Sequence, residues 1–459
     1  VSVLYWECNP VRKFQIMTSF CTLILALFGV AALAADCNTK ENITGSPNTY
    51  PVNTSEPVFL RRVPNGELYS LGTNGTDFVY VLHVYGNNGY DFGFAAGQLL
   101  KQEIIHVLTH AWDYFVLKIE EQINGTAQHF DIPPQWVDFL AMHGLEVALD
   151  LQNDASAPFM DPQIYAEMHG IADATLLDFD MIRRIHLIGE ITRGSCSMFG
   201  AWGNATRDNK VLQLRALDWS TGAGLQDFPV VTIYHPENPS MGFPFANVGW
   251  AGWIATLTGM SSTKIGISEI GISYPNYPPY FGNETFIGIP FVFLERRILQ
   301  YGTSVFDAMD MMLNANRTCR LMLGVADGTA ETARLVQYSH SQINFYDDST
   351  LEPDAWWHPR LTDVVYAGMD WFCPFYQHSL FNQLDLYHGT LTPELTIFNV
   401  TSAVMTGDLH LAVYDLTEGL LYVANHAPSW TNASNMKGYQ RPAVRLNTTA
   451  LFHKQFGTN

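Results

Sequence analysis

The chain has 459 residues, 47% of them hydrophobic and 15% charged, so it can bury a large core and lacks the composition of a disordered protein. Its net charge of −20 argues against a nucleic-acid partner, because phosphate binding needs a basic face. The sequence contains no phosphate-loop pattern, no H-E-x-x-H and no paired C-x-x-C. We therefore expect neither a metal nor another cofactor.

The N-terminal region predicts export of the chain. Residues 1–16 precede Met17 and are interpreted as a gene-model artefact. Residues 17–35 carry an apolar core that ends in Ala-Leu-Ala, which is typical of a signal peptide and short for a membrane span. Residues 36–75 are rich in Asn, Thr, Ser, Pro and Gly and predict a flexible, glycosylated leader. We expect a secreted or lysosomal protein without a stable membrane span.

Glycosylation sequons and cysteines favour the same compartment. The ten Asn-x-Ser/Thr sequons start at Asn42, Asn53, Asn74, Asn124, Asn204, Asn283, Asn316, Asn399, Asn432 and Asn447. The cysteines after the signal segment are Cys37, Cys196, Cys319 and Cys373. A disulfide from Cys37 to Cys373 or to Cys319 would tie the leader to the C-terminal half, and buried unpaired thiols are the alternative.

Residues 76–195 have a mainly helical pattern after one strand. The strand is predicted at 77–85, and helices are predicted at 89–123, 133–152, 162–174 and 178–190. Four histidines lie on these helices, namely His106, His110, His169 and His186. We interpret them as surface or packing residues rather than as catalytic bases.

The pattern changes to strands at residue 196. Strands are predicted at 196–202, 211–217, 228–235, 243–248, 253–258, 264–270, 320–326, 333–338, 342–346, 409–415 and 419–425. Helices are predicted at 290–301, 304–314, 370–386 and 393–405. Strands, a helical pair and further strands predict two antiparallel sheets covered by helices, a four-layer arrangement.

One predicted hairpin brings reactive groups together. Cys196 stands at the start of its first strand, and Arg215 and Asp218 stand at the end of its second, after a polar turn at 204–210. Antiparallel pairing returns the end of the second strand to the start of the first. A thiol, a guanidinium and a carboxylate then converge. The alternative is a buried cysteine beside a surface ion pair.

A cysteine without a catalytic-histidine motif needs another base. A chain-terminal amine, with a pKa of about 7.7, can supply it once the peptide bond between Ser195 and Cys196 has broken. We therefore predict that self-cleavage makes Cys196 a new N-terminus and a nucleophile. Arg215 would hold the thiolate or a substrate oxygen, and Asp218 would orient the α-amine.

The sequence around Cys196 resembles a known enzyme family. The run Cys-Ser-Met-Phe-Gly-Ala-Trp-Gly-Asn-Ala-Thr from Cys196, followed by Arg-Ala-Leu-Asp-Trp from Arg215, is similar to the N-terminal-nucleophile (Ntn) cysteine hydrolases. It is most similar to the autoproteolytic acyltransferase/hydrolase family that includes isopenicillin-N acyltransferase, and more distantly to acid ceramidase, N-acylethanolamine acid amidase and the bile-salt hydrolases. Weaker similarities lie at 167–172, 248–260, 288–299 and 326–328.

The resemblance implies an α+β fold of the Ntn type, a four-layer αββα sandwich. It implies a helical α-chain segment at 76–195 and a β-chain at 196–459, which form a heterodimer from one precursor. Cys196 is the implied nucleophile, with Arg215 and Asp218 beside it. The implied substrate is a small N-acyl amide, including lipid amides, which is hydrolysed or used for acyl transfer.

One departure from the family bears on activity. Relatives place an asparagine shortly before the position of Asp327, where it helps to bind the oxyanion, and this sequence has none there. Arg320, Asn276, Glu269 or a backbone N–H are candidates to replace it. Since strand alternation places Ser268 and Glu269 on opposite faces, we expect at most one of these two to reach the site.

Two other functions remain open at this level. The missing asparagine favours a catalytically inactive secreted glycoprotein on the same fold. A serine hydrolase is the third hypothesis, because the glycines at 266 and 271 around Ser268 nearly match G-x-S-x-G. The aromatic and proline-rich run 274–281 predicts either an acyl pocket or a loop packed on the core.

Overall fold

A computed structural model of the protein describes residues 44–127, 134–190, 195–271, 282–355, 358–368 and 378–458. Several sequence predictions fall outside these residues. They concern the signal segment at 17–35, the sequon at Asn42, the disulfide between Cys37 and Cys373, the oxyanion candidate Asn276 and the run 274–281.

The helices and strands have the following bounds. The helices are α1 (Gly89–Leu99), α2 (Lys101–Ala127), α3 (Pro134–Ser156), α4 (Pro162–Thr175), α5 (Phe179–Leu187), α6 (Phe291–Tyr301), α7 (Val305–Asn314), α8 (Ser379–Leu386), α9 (Pro393–Leu395), a π-helix at Thr396–Thr401, α10 (Ser402–Val404) and α11 (Thr448–Phe452). The strands are β1 (Val58–Val63), β2 (Gly66–Leu71), β3 (Val79–Gly86), β4 (Ser195–Ala201), β5 (Leu212–Asp218), β6 (Pro229–Pro236), β7 (Phe245–Trp250), β8 (Thr258–Ser261), β9 (Ile265–Gly271), β10 (Leu321–Asp327), β11 (Thr332–Tyr338), β12 (Ile343–Tyr346), β13 (Val364–Ala367), β14 (His410–Asp415), β15 (Leu420–Asn425) and β16 (Val444–Asn447).

The strands form two sheets. A ten-stranded sheet has the order β1-β2-β3-β6-β7-β8-β9-β10-β11-β12, in which β3 and β6 are parallel. A six-stranded antiparallel sheet has the order β13-β4-β5-β14-β15-β16. The predicted hairpin is confirmed, since β4 and β5 pair from Ser195↔Asp218 to Ala201↔Leu212. It lies inside the smaller sheet, where β13 and β14 cover its two edges.

The two sheets pack against each other. Gln213 of β5 donates from Nε2 to Ser268 Oγ of β9 at 2.8 Å and to the Gly324 carbonyl of β10 at 3.1 Å. Gly324 allows a close approach of the sheets, because a Cβ there would lie 2.3 Å from Met198 Cε of β4 and the methionine would have to move. This close approach holds β4 and β5 against β9 and β10 and fixes where their side chains meet.

The first helices pack on the larger sheet and on one another. α1 contacts β2 and β3, and it crosses α4 at very short range. A Cβ at Gly93 of α1 would lie 1.9 Å from the carbonyl oxygen of Glu167 in α4, so the backbones touch directly. Glu167 is buried there and bonds Tyr234 Oη at 2.9 Å and Arg296 Nη2 at 2.5 Å. A satisfied buried carboxylate thus ties α4 to the sheet and to α6.

The structure corrects the prediction for the region before residue 76. Residues 44–75 were expected within a flexible leader, but β1 and β2 form a hairpin there, closed by Asn65 at φ +61°. Asn48 is buried and donates from Nδ2 to the carbonyls of Tyr439 and Arg441. A polar composition did not reveal these long-range partners, which lie in the C-terminal part of the chain.

The other differences are local. The predicted strand 253–258 is wrong, because those residues form an irregular buried segment that ends where β8 begins at Thr258. The predicted helix 89–123 is interrupted at Leu100, and its second part continues to Ala127. The strands β13 and β16 were not predicted. Among the described residues, no helix is both long and apolar enough to cross a membrane.

Candidate active site

The predicted reactive residues lie at one end of the β4–β5 hairpin. Cys196 pairs with Leu217, and Ser195 pairs with Asp218, in the antiparallel ladder. Arg215 is two residues from Leu217 and opposite Met198. The Ser195–Cys196 peptide bond therefore joins the first two residues of β4, next to the last residue of β5.

Arg215 is fully buried and forms an ion pair across the two sheets. Its Nη2 lies 2.9 Å from Glu269 Oε2 of β9, and Glu269 is itself buried. Within the described residues its Nε and Nη1 atoms have no hydrogen-bond partner. A buried guanidinium with two unused donors beside a thiol is suited to hold a thiolate or an oxyanion.

Asp218 accepts three hydrogen bonds from one tight turn of the chain. Thr406 Oγ1 donates to Oδ2 at 2.7 Å, and the backbone N–H groups of Gly407 and Asp408 donate to Oδ1 at 2.7 and 2.8 Å. Burial, together with the nearby charge of Asp408, raises the pKa of Asp218 to about 6, although the three hydrogen bonds act in the opposite direction. The carboxylate is thus rigidly placed, and its charge changes close to neutral pH.

The thiol of Cys196 is protonated in the uncleaved chain. Burial raises its pKa to about 12, an effect that Arg215 opposes and that Glu269 and Asp218 reinforce. A nucleophilic thiolate would form here only with a base beside it. The intact peptide nitrogen of Cys196 cannot act as that base, whereas a free α-amine at the same position can.

An apolar pocket opens at Cys196. Its empty volume is about 600 Å³, including its open mouth. It is lined by Ala111, Phe115, Ile185, Ile188, Gly189, Cys196, Leu217, Trp219, Leu225, Trp250, Trp253, Leu257, Glu269, Phe291 and Val292. Pockets lined mainly by apolar side chains, with few polar groups among them, are typical of small-molecule sites. Cys196 and Glu269 place a thiol and a carboxylate in its wall.

The other predicted residues are placed as follows. Glu269 reaches the site, where it holds Arg215. Arg320 is partly exposed, pairs with Glu284 and is absent from the pocket lining. Ser268 lies within β9 and accepts a hydrogen bond from Gln213, so it lacks the strand-turn-helix context of a serine nucleophile. Asp327 is buried and accepts from the backbone of Val305, so it anchors the start of α7.

Sequence reasoning missed several residues around the site. Thr406 bonds both Asp218 and Ser197 Oγ, at 2.7 and 2.9 Å, although it lies far along the chain. Glu295 of α6 is fully buried, and neither carboxylate oxygen has a partner among the described residues. Burial, with the charge of Glu269, raises the pKa of Glu295 well above its usual range, so it is a neutral acid. No local motif distinguishes either residue.

Two of the histidines have the surface or packing roles that the sequence predicted, and one of them, His186, stacks on the pocket residue Trp253. His186 is buried, its Nδ1 lies 2.7 Å from the Ile182 carbonyl, and its Nε2 accepts from the Ile254 N–H at 3.1 Å. Burial lowers the pKa of His186 to about 4, so the ring is neutral. His169 stacks on Phe179 at 3.8 Å. In the described part of the chain, no group of three or more His, Cys, Asp or Glu residues is arranged to hold a metal ion.

The fold and the site define a mixed helix-and-sheet protein with a buried cysteine on an apolar pocket. No protein-family model matches the chain. It is 30% identical over 454 residues to protein dcd1A of Dictyostelium discoideum, across 95% of this chain and 100% of dcd1A. It is 31% identical over 417 residues to protein dcd1B of the same organism, across 88% of this chain and 81% of dcd1B. The chain belongs to the family of dcd1A and dcd1B.

Two solved structures show more distant similarity. The Caenorhabditis elegans N-acylethanolamine-hydrolyzing acid amidase (NAAA) ortholog is 13% identical, with a TM-score of 0.35, over 54% of this chain and 98% of that chain. Penicillin V acylase from Agrobacterium tumefaciens is 14% identical, with a TM-score of 0.34, over 51% of this chain and 84% of that chain.

Proposed function

We propose that the protein is an Ntn-type cysteine amidohydrolase or acyltransferase, similar to the isopenicillin-N acyltransferase family, and that it cleaves the amide bond of N-acyl substrates. One observation carries the proposal: Cys196, Arg215 and Asp218 meet at the head of one hairpin, and Cys196 opens onto an apolar pocket. The motif resemblance at these three residues supports the same assignment.

Self-cleavage would activate the chain. The Cys196 sulfur attacks the Ser195 carbonyl carbon, the bond from that carbon to the Cys196 nitrogen breaks, and the nitrogen takes up the thiol proton. Water then hydrolyses the thioester, which releases the Ser195 carboxylate and returns the thiol. The cut would remove one pair, Ser195↔Asp218, from the end of the β4–β5 ladder and leave the pairs from Cys196 onward.

The mature site would use the same residues for amide cleavage. The α-amine of Cys196 takes the thiol proton as the sulfur attacks the substrate carbonyl, and it then gives a proton to the leaving amine. Asp218, fixed by three hydrogen bonds, orients the α-amine, and Arg215 stabilises developing negative charge with its unused donors. The acyl group occupies the apolar pocket until water or an acceptor amine releases it.

The proposed architecture is the four-layer αββα sandwich with two chains from one precursor. It is supported by the two facing sheets, by α6 and α7 against β8 to β11, and by α9 against β14. A cut before Cys196 would leave β1 to β3 in the short chain and the remaining strands in the long chain. Both chains would then share the ten-stranded sheet through the β3–β6 pairing.

We also propose a secretory or lysosomal destination with N-glycosylation. Six sequon asparagines are exposed, as the modification requires: Asn74, Asn204, Asn283, Asn316, Asn432 and Asn447. Asn399 is half-buried, and the side chains of Asn42 and Asn124 lie outside the described residues. Asn53 is half-buried and donates from Nδ2 to Asp77 Oδ2 at 2.7 Å, so we expect this sequon to remain unmodified.

The proposed activity is tested with fluorogenic amides. N-acyl derivatives of aminomethylcoumarin with short, medium and long acyl chains are incubated with the wild-type protein, with Cys196→Ala and with Cys319→Ala. We expect release of the dye by the wild type and by Cys319→Ala, whose thiol lies outside the pocket lining, and none by Cys196→Ala. Release by none of the three at any acyl length would favour the inactive glycoprotein instead. Equal release by all three would exclude Cys196 as the nucleophile.

A further inference from the structure

Trp250 and Trp253 carry two buried hydrogen-bond donors in the pocket wall. Trp250 is the last residue of β7, Trp253 lies in the irregular segment that follows it, and both rings line the pocket at Cys196. Their exposed fractions are only 6% and 7%. Within the described residues, neither indole Nε1 has a hydrogen-bond partner.

The two rings are held in place from several sides. Trp253 stacks on His186 at 4.9 Å, and its ring lies 4.9 Å from that of Trp250. Both rings also line a second, smaller pocket, whose other lining residues include Leu100, Ile104 and Ile254. The indole rings therefore lie between two pockets, and their contacts with His186 and with each other restrain their orientation.

Unpartnered donors of this kind are uncommon in folded proteins. A buried tryptophan N–H usually finds an acceptor, and an unsatisfied one costs stability. Among the described residues, two further buried atoms close in sequence also lack partners, Asn247 Oδ1 of β7 and Thr256 Oγ1 in the segment after it. The two indole groups lie in residues that line the pocket, and a ligand there can supply the missing acceptor.

We propose that Trp250 and Trp253 determine acyl specificity by donating hydrogen bonds to an oxygen acceptor within the acyl group. The inference rests on the proposed function and names the substrate class for that site. The preferred acyl group is apolar and is interrupted by one ether, carbonyl or hydroxyl oxygen at the depth of the indole N–H groups. An all-carbon chain would leave the two donors unsatisfied.

The proposal is tested by binding to the uncleavable Cys196→Ala chain. Calorimetry compares the N-methyl amide of a medium-length alkanoic acid with isosteres in which an ether oxygen replaces one methylene at successive positions. An oxygen that meets no donor weakens binding, because it loses its hydration. We expect one position to bind about tenfold or more tighter than its neighbours and tighter than the all-carbon amide.

Ring-preserving variants assign the effect to the indole N–H groups. In the Cys196→Ala background, Trp250→Phe and Trp253→Phe should reduce the preference for the favoured ether position. Trp219→Phe is the matched control, since Trp219 lines the same pocket but its indole N–H is not one of the buried donors without a partner. This variant should keep the preference for the favoured ether position. The proposal would be overturned if the all-carbon amide bound more tightly than every ether isostere, or if no amide bound. It would also be overturned if both phenylalanine variants kept the preference for the favoured ether position. A wild-type chain without amidase activity would count against the proposed function alone, because this measurement requires no turnover.

Discussion

The charge of Asp218 should make the folded protein less stable as the pH rises toward neutrality. Its pKa is about 6 in the folded chain, against an ordinary value of 3.8, so the folded state binds more protons than the unfolded state between these values. Stability therefore falls as the pH rises through this interval. The difference in pKa multiplied by 1.36 kcal/mol per pKa unit gives a loss of about 3 kcal/mol.

The substitution Asp218→Asn removes this charge with little change in shape. Its amide oxygen can still accept from Gly407 and Asp408, and its NH2 group can donate to Thr406, whose hydroxyl also contacts Ser197. In the Cys196→Ala background, which avoids cleavage, we expect the variant to gain stability relative to its parent as the pH rises from about 4 to about 7. The expected gain is about 2 to 3 kcal/mol.

The assay is denaturant unfolding of parent and variant across that pH range. Asp408→Asn is the control, because removing this neighbouring charge lowers the pKa of Asp218 and should reduce the pH dependence without abolishing it. A stability difference between Asp218→Asn and its parent that stays constant with pH would refute the account of Asp218 as a carboxyl that titrates near pH 6.

Three further predictions follow from contacts in the structure. Gly93→Ala should destabilise the fold by about 3 kcal/mol or more in denaturant unfolding, because its Cβ would meet the Glu167 carbonyl at 1.9 Å. Gly144→Ala is the helical control, because no atom lies within 4 Å of the new Cβ, and it should raise stability by about 0.5–1 kcal/mol. Equal effects at both glycines would contradict a steric clash at Gly93 as the cause of the loss. Arg215→Met should lower stability by about 3 kcal/mol, because it breaks the buried ion pair with Glu269. Adding Glu269→Gln to this variant should recover part of the loss, and additive losses in the double variant would exclude an energetic coupling between Arg215 and Glu269. If the chain cleaves itself, the two products should co-elute in size-exclusion chromatography until denaturant is added, because β3 and β6 pair across the cut chains; separate elution without denaturant would contradict the shared sheet.

The hairpin that positions Cys196 was predictable because its determinants are local. Alternating strands and a polar turn specify the β4–β5 pairing, so Cys196 and Asp218 could be placed together from the sequence. The partner of Arg215 was harder to assign. Glu269 lies 54 residues away on the other sheet, and only the packing of the two sheets brings it to the guanidinium.

The residues that the sequence did not reveal depend on long-range packing. Thr406 contacts Asp218 across 188 residues of sequence, and no periodic pattern marks such a turn. The residues between Trp250 and Thr258 resemble a strand by composition, but they form an irregular buried wall between two cavities. The hairpin β1–β2 was hidden by a polar composition, although its partner strand β3 follows directly in the sequence. The contact of Asn48 with Arg441 spans 393 residues, and no local pattern marks it.

The central claim is that Cys196 becomes an N-terminal nucleophile, and N-terminal sequencing with intact mass after deglycosylation tests it most directly. Residues 196–459 comprise 264 of 459 residues, and scaling the 51.5 kDa mass by that fraction gives about 30 kDa for the long chain. We predict a chain of this mass that begins Cys-Ser-Met-Phe in the wild type and in Cys319→Ala, and an uncut chain in Cys196→Ala. A wild-type chain that stays intact at both acidic and neutral pH would contradict the account.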